Sequence, residues 1–472
     1  MTNTDKPTVV HQIPVDQIDF SPNISSDAEN FFQSDADIAR MAARQGMVNY
    51  DKGQAIKLPS KVLDICQGIV PVKSTAEISG DKDLKDATLF LAESGHVARK
   101  ISAETGKTIK LFQGHTGPVT RVAVYQTQLG QERLVTGSWD KTIRVWDTET
   151  KECLATLKGH TDFVKALTVR TVVLTEKDQG LGQDRDEQGK EKKKKKRIGH
   201  ELFSASYDGT IMHWDLQTFE PFQGGAGGPW KGHVRGVNDL CLTVEEDNDE
   251  RADDDNEEEG KQDRGKEYLY SAGSDSTIRK WDIAQGQGRG GHCVHVFEHH
   301  ETTVYKVIVA GVEIWSTSAD KTARRLDLET KKVDMRLEHP DFVKSIALAG
   351  PYVITGGRQE TVRVWSVATG KLIKEISGHF DEVSSMVVIG STLFTGSLDG
   401  TVRRWSLKEQ DLIAPVAPNE NEGTAIAAEP RSSNTPSVAK GSSKEEEAAK
   451  SSMMTEEEER ELAELMGSDD DD

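Results

Sequence analysis

The stretch LVTGSWDKTIRVWD, residues 134–147, contains two apolar runs separated by a turn of small and polar residues. Apolar runs on both sides of a turn rich in Gly, Ser and Asp are typical of a β-hairpin. The hairpin also carries Ser, Asp and Trp side chains, which occur both in reactive sites and in structural networks. Repetition decides between these interpretations, because a chain needs a reactive site only once.

The hairpin pattern recurs along the chain. The further copies are FSASYDGTIMHWD (203–215), YSAGSDSTIRKWD (270–282), STSADKTARRLD (316–327), ITGGRQETVRVWS (354–366), FTGSLDGTVRRWS (394–406) and the degenerate FLAESGHVARKIS (90–102). The positions equivalent to the final Trp are Ile101, Trp146, Trp214, Trp281, Leu326, Trp365 and Trp405. Their period is near 40, and two intervals of 68 and 67 residues predict insertions at about 176–198 and 245–266.

A second motif lies upstream of most copies, and one further apolar strand separates it from the hairpin. It is Gly114-His115, Gly159-His160, Gly232-His233, His299-His300, Glu338-His339 and Gly378-His379. A Gly-His before the first strand and a Trp-Asp after the third resemble the WD-repeat β-propeller family. The resemblance covers residues 55–416 and implies an all-β fold, a ring of seven four-stranded antiparallel blades. We expect residues 55–60 to close the ring by pairing with blade seven, and residues 412–416 are the alternative.

The resemblance also implies a buried hydrogen-bonded network in each blade. In blade two it comprises His115, Thr136, Asp140 and Trp146. The equivalent residues elsewhere are His160, Asp208, Trp214, His233, Asp275, Trp281, Asp320, Trp365, His379, Asp399 and Trp405. His, Asp and a hydroxyl also form catalytic triads, but a set repeated at one period indicates architecture. We therefore predict no catalytic residue, no metal ligand and no cofactor; the cluster His292, Cys293 and His295 falls on a predicted outer strand.

Family members bind proteins on the face that carries the hairpin turns. The residue before each turn Asp varies, and Trp139 and Tyr207 occupy this position in neighbouring blades, with Arg358 in a degenerate copy. Phe163 and Phe342 precede first strands on the same face. Trp, Tyr and Arg are favoured interface anchors, so these five residues are candidate protein-binding residues. The alternative is that the rings pack over adjacent loops.

Both insertions are strongly charged and link the first two strands of blades three and four. We expect them to be disordered and to emerge side by side on the face opposite the turns. The first ends in a basic run that matches a nuclear-import signal or a nucleic-acid patch; the alternative is a solvated run paired with the acidic second insertion. The run comprises Lys190, Lys192, Lys193, Lys194, Lys195, Lys196 and Arg197.

The two ends of the chain are polar. Residues 1–54 form a polar extension with one short helical pattern, and residues 417–452 form a predicted disordered linker. For residues 453–472 we predict an acidic tail with a short amphipathic helix, on which Leu462, Leu465 and Met466 would make one apolar stripe that is a candidate for binding a partner. A solubilising acidic tail is the alternative.

Composition and charge distribution limit the classes of function that this chain can have. The net charge of −20 is concentrated in residues 245–266, with twelve acids and four bases, and in residues 444–472, with thirteen acids and three bases. Four cysteines lie far apart, the N-terminus lacks a signal-peptide pattern, and no apolar run is long enough to span a membrane. We therefore predict a cytoplasmic or nuclear, non-enzymatic scaffold, a monomeric propeller within a multiprotein complex. The alternatives are a nuclear assembly factor for ribosomes or RNA processing and a substrate receptor of a cullin-type ubiquitin ligase.

Overall fold

A computed structural model describes residues 53–69, 84–174, 197–222, 228–245, 266–283 and 291–413. Contacts divide the chain into residues 1–414 and 415–472, and all described residues belong to the first unit. The basic run Lys190 to Lys196, the acidic stretch 246–265 and the stripe of Leu462, Leu465 and Met466 lie outside the described residues, as does most of the N-terminal extension.

The described chain consists of seven antiparallel sheets. The first element is β1 (Ile56–Lys57). Blades one to three contain β2 (Val62–Gln67), β3 (Thr88–Glu93), β4 (Val97–Ser102), β5 (Thr108–Gln113); β6 (Val119–Gln126), β7 (Glu132–Ser138), β8 (Thr142–Asp147), β9 (Cys153–Lys158); and β10 (Val164–Leu174), β11 (Arg197–Ser206), β12 (Thr210–Asp215), β13 (Glu220–Pro221), β14 (Trp230–Lys231). Blades four and five contain β15 (Val237–Glu245), β16 (Lys266–Gly273), β17 (Ile278–Asp282), β18 (His292–Phe297); and β19 (Val304–Ala310), β20 (Glu313–Ser318), β21 (Thr322–Asp327), β22 (Val333–Glu338). Blades six and seven contain β23 (Val343–Ala349), β24 (Tyr352–Gly357), β25 (Thr361–Ser366), β26 (Leu372–Ser377); and β27 (Val383–Ile389), β28 (Thr392–Ser397), β29 (Thr401–Ser406), followed by helix α1 (Glu409–Ile413).

The sheets form a closed ring. The first strands of successive blades contact one another, and β27 of blade seven returns to β2 of blade one. Seven apolar clusters fill the seven interfaces between neighbouring blades. The predicted seven-bladed β-propeller is therefore confirmed.

Each Trp-equivalent residue packs in the cluster between its own blade and the preceding one. Trp146 packs with Phe90 of blade one, and Leu326 takes the same place between blades four and five. The second strand of a blade is buried on both faces, whereas an outer strand such as β9 buries only Leu157. A repeat therefore cannot bury its apolar side chains alone, and stability requires its neighbours.

The ring closes as the sequence predicted. Ile56 and Lys57 pair with Val402 and Thr401 of β29, and Leu58 packs in the cluster between blades seven and one. The alternative closure by residues 412–416 is wrong, because Leu412 lies in helix α1 and packs between blades six and seven.

The two insertions interrupt the predicted links, with strand ends that differ slightly from the expected limits. Strand β11 already begins at Arg197, and Glu245 and Lys266 belong to β15 and β16. Arg170 of β10 forms ion pairs with Glu201 of blade three and with Glu267 of blade four. These ion pairs therefore link the strands that flank the two insertions. The outer edge of blade three is split into β13 and β14, both paired with β12, which the sequence analysis did not predict.

Candidate functional site

The predicted network of blade two is assembled beneath the turn between β7 and β8. His115 Nδ1 lies 2.7 Å from Asp140 Oδ2, and its Nε2 lies 2.7 Å from Thr136 Oγ1. The Trp146 indole N–H donates to the same Thr136 oxygen at 2.9 Å. A carboxylate only accepts, so Nδ1 carries the proton and Nε2 accepts the Thr136 hydroxyl proton. The bonds therefore run in one direction, from indole to carboxylate.

Blades three, four and seven contain the same chain of bonds. The His–Asp distances are 3.3, 3.0 and 3.1 Å, and the His–hydroxyl distances are 2.8, 2.7 and 2.7 Å. The indole–hydroxyl distances are 2.8, 2.8 and 2.9 Å. The residues are His160, Asp208, Ser204 and Trp214; His233, Asp275, Ser271 and Trp281; and His379, Asp399, Thr395 and Trp405.

The remaining blades vary the network. In blade five His300 bonds Asp320 and Ser316, each at 2.8 Å, so His300 rather than His299 occupies the predicted position; Leu326 offers no indole. Burial, followed by the charges of His300 and Arg324, lowers the pKa of His299 to about 3.

Blade six lacks the turn carboxylate, because Gln359 stands there. His339 Nε2 still lies 2.8 Å from Thr355, which accepts the Trp365 indole N–H at 2.8 Å. In blade one a buried ion pair between Glu93 and Arg99 replaces the set.

The electrostatics favour a permanently ionised turn aspartate. Burial would raise the pKa of Asp140, but hydrogen bonds from His115 and Thr142 lower it below its usual range. The pKa of Asp399 is lowered to about 2 by the same balance. The network hydroxyls, such as that of Thr136, are 0% exposed. A nucleophile must reach its substrate, so these networks hold turns in place and do not present a reactive group.

The turn face, which we define as the face carrying the turns between the second and third strands, exposes an apolar patch. Trp139 stacks on Phe163 with ring centroids 4.9 Å apart and an interplanar angle of 19°. The backbone N–H of Tyr207 donates to the Phe163 carbonyl at 2.9 Å. Tyr207 is 50% exposed, and Val234 in the next loop is 86% exposed. We call Trp139, Phe163, Tyr207 and Val234 the apolar patch.

Local packing fixes the orientation of Tyr207. A Cβ added to Gly236 would lie 2.5 Å from Tyr207 Cδ2, so the tyrosine ring lies across the loop where the backbone carries no side chain. The Trp139 indole N–H is buried by its neighbours without an acceptor among the described residues. Trp139 and Phe163 therefore pack in part on each other, as the alternative prediction held, whereas Tyr207 and Val234 face solvent.

The other predicted residues of the face lie in blade six. The Arg358 guanidinium lies 5.7 Å from the centroid of the Phe342 ring. Arg358 is exposed and Phe342 is half-buried beneath it. Val234 was not predicted from the sequence, because the residues after each Gly-His follow no repeated pattern.

Other site types find no support in the described ranges. No group of His, Cys, Asp and Glu side chains in them is arranged to hold a metal ion, including His292, Cys293 and His295 on β18. Within the same ranges no helix has the length and apolarity needed to cross a bilayer.

Comparisons with known proteins agree with this geometry. A family model described as "WD domain, G-beta repeat" matches residues 106–147 and 370–406. An uncharacterised WD repeat-containing protein of Schizosaccharomyces pombe is 28% identical over 359 residues, which cover 74% of this chain and 81% of that protein.

Two further relatives are matched over smaller shares of their own length. The human kinesin-like protein KIF21A is 23% identical over 76% of this chain but only 20% of its own length, and the nuclear distribution protein PAC1 of Coccidioides posadasii is 29% identical over 57% of this chain and 52% of its own. The ring of seven blades, the recurring His, Asp and Trp networks and the matched repeats together place this chain in the WD40-repeat β-propeller family.

Proposed function

We propose that this chain is a non-enzymatic scaffold that holds a protein partner against its turn face, with the apolar patch as the anchor. WD40 propellers typically bind proteins and are usually non-catalytic. The observation that carries the proposal is the exposure of Tyr207 and Val234 beside the Trp139 and Phe163 stack. Exposed aromatic and apolar side chains on a rigid base are suited to anchoring a partner.

The hydrogen bonding of Trp139 also differs from that of the network tryptophans. A buried indole N–H without an acceptor disfavours the isolated chain by about 1–3 kcal/mol. A Trp that served only stability would be expected to pair its N–H, as Trp146 does with Thr136. Trp139 is therefore not placed for hydrogen bonding within the described fold, and its ring contributes by stacking on Phe163.

The test is a comparison of variants in affinity purification from native cells. Trp139→Ala combined with Tyr207→Ala should remove a set of proteins that the wild-type chain retains, while the melting temperature stays within the range of surface substitutions. Phe222→Ala is the control, because Phe222 is 42% exposed on the outer edge of blade three. An identical protein set for the double variant and the wild type would refute the proposal.

The cellular setting and the wider role stay predictions. We propose a cytoplasmic or nuclear chain that acts as a monomeric propeller in a larger complex. Nuclear import or nucleic-acid contact through Lys190 to Arg197, with a role in nuclear assembly, rests on the sequence alone. The ubiquitin-ligase alternative rests on Trp405-Ser406-Leu407-Lys408, which resembles the Trp-Asp-x-Arg/Lys motif of cullin adaptors except that Ser406 replaces the Asp. Leu407 within it is buried.

A further inference from the structure

We propose that the ammonium group of Lys165, at the centre of the turn face, receives a carboxylate of the protein partner whose apolar side chain occupies the apolar patch. The partner segment is therefore an acidic peptide with an Asp or Glu close to an apolar residue. The inference rests on the proposed function and adds the chemistry of the recognised partner.

The first observation is the pairing of the cations on the innermost strands. Arg121 reaches across blades, with its guanidinium 3.1 Å from Asp64 of blade one and 2.8 Å from Asp239 of blade four. Lys306 lies 3.7 Å from the same Asp239 carboxylate. These cations are therefore neutralised within the ring.

Lys344 and Lys165 differ in this respect. Lys344 lies 3.7 Å from Glu382 and 3.8 Å from the centroid of the Tyr305 ring. Lys165 forms no ion pair with any described residue, and its ammonium lies 6.0 Å from the centroid of the Tyr207 ring. Lys165 is therefore the unpaired cation of this group.

Two cations and two carboxylates act on Lys165, and the effect of the cations is the larger. Burial lowers its pKa to about 8, and the positive charges of Lys344 and Arg121 add to this effect. Asp162 and Glu382 act in the opposite direction without restoring the ordinary pKa. The half-buried ammonium therefore has carboxylates in its surroundings but forms an ion pair with neither, and a partner carboxylate supplies one with a charge-assisted hydrogen bond.

The location links this cation to the patch. Tyr207 belongs to the patch and lies under the Lys165 ammonium, so an apolar side chain on Trp139 and Tyr207 brings the next residues of a partner to Lys165. Arg235, one residue after Val234, is exposed on the rim. The same surface therefore offers apolar contact and unpaired positive charge.

Lys165→Met should change the melting temperature and the affinity for the partner in different directions. Lys165→Met removes an ammonium that is unfavourable in the free chain, so the melting temperature should stay equal or rise. It also removes the counter-ion for the partner, so the affinity for the proteins lost by the Trp139→Ala and Tyr207→Ala variant should fall about tenfold or more. A merely structural lysine would not separate these two readouts.

The first experiment measures both quantities on the full chain. Lys158→Met is the control, because Lys158 is exposed on outer strand β9. Unchanged capture by Lys165→Met, with capture lost in the aromatic double variant, would overturn the inference and leave the proposed function standing. Unchanged capture by both variants would overturn both.

The second experiment uses a defined probe. Lysine side-chain NMR of the full chain follows Lys165 during titration with N-acetyl-Leu-Glu-Leu-Glu-amide, with the Gln peptide of equal size as control. We expect the Lys165 signals to move with the Glu peptide only and its pKa to rise from about 8. No movement up to roughly 10 mM, where even millimolar binding is visible, or movement with inorganic phosphate but not with the Glu peptide, would overturn a carboxylate ligand.

Discussion

Asp399 offers the sharpest test of the buried networks. Its side chain is 3% exposed and accepts hydrogen bonds from the Thr401 hydroxyl at 2.6 Å, the Thr401 N–H at 2.8 Å, the Phe380 N–H at 3.1 Å and His379 Nδ1 at 3.1 Å. Asp399→Ala removes the acceptor and leaves these donors behind. We expect a large loss of unfolding free energy although no apolar contact is removed.

The magnitude follows from the pKa. Burial would raise the pKa of Asp399, but hydrogen bonding and charge from His379, then Thr401 and the Phe380 N–H, lower it from 3.8 to about 2. At 1.36 kcal/mol per pKa unit, ionisation stabilises the folded state by about 2 kcal/mol. Unsatisfied buried donors add about 1–3 kcal/mol, so Asp399→Ala should lower the unfolding free energy by about 3–5 kcal/mol.

The sign of the pH dependence is fixed by the same shift. Because the folded pKa is lowered, the contribution is complete above the unfolded pKa near 3.8 and is lost as the pH falls through about 2. At pH 3 roughly half of it is gone. Asp399→Asn should therefore be less stable than wild type at pH 7, and the difference should shrink between pH 5 and 3.

Urea unfolding monitored by tryptophan fluorescence measures these differences. Gln359 provides the matched control, because it occupies the same turn position in blade six without a carboxylate. Gln359→Ala should change the unfolding free energy by less than about 0.5 kcal/mol. A loss below about 1 kcal/mol for Asp399→Ala, or an equal loss for Gln359→Ala, would show that the carboxylate does not hold the turn.

Three further predictions test the ring. Removal of residues 1–60 should lower the melting temperature by several degrees, because it deletes the closing strand β1, whereas removal of residues 1–52 should not; differential scanning calorimetry compares the two. Arg121→Leu should lower the unfolding free energy by about 3–5 kcal/mol, since Asp64 and Asp239, each 6% exposed, lose their shared guanidinium and, among the described residues, only Asp239 keeps a cation, Lys306 at 3.7 Å. Changing both carboxylates to Asn should recover most of the loss in urea unfolding. His339 should titrate near 4 in NMR, because burial and then the charge of Arg363 lower its pKa. Its neutral form stabilises the fold fully above pH 6.5, and this contribution is lost as the pH falls through 4. His339→Gln should therefore reduce the dependence of the unfolding free energy on pH in this range.

The sequence predicted features that repeat at a fixed period. Asp140, Trp146 and His115 recur at nearly constant spacing, and their contacts lie within one blade and its preceding loop. The hairpin pattern therefore indicated blade number, strand order and network membership. Closure by residues 55–60 was predicted because the last repeat ends after its third strand, which leaves the outermost strand of blade seven to be supplied from elsewhere.

Features that do not repeat from blade to blade could not be predicted in this way. Arg121 meets Asp239 across 118 positions of sequence, and nothing local to either residue indicates the pairing. Val234 and Lys165 occupy positions whose residue type changes from blade to blade. Strands β13 and β14 of blade three lie on either side of the Gly-rich sequence QGGAGG at 223–228, a sequence that no other repeat contains.

The distinction between repeated and unrepeated residues also has an energetic basis. The repeated networks pair every donor and acceptor that they bury, as in blade two with His115, Asp140 and Thr136. The turn face instead contains an indole N–H at Trp139 without an acceptor and an ammonium at Lys165 without a counter-ion among the described residues. A ring stabilised at seven interfaces tolerates such unfavourable groups. We propose that partner binding supplies the missing counter-ion of Lys165, so a gain in stability on replacing Lys165 would place function at an unsatisfied group of the turn face.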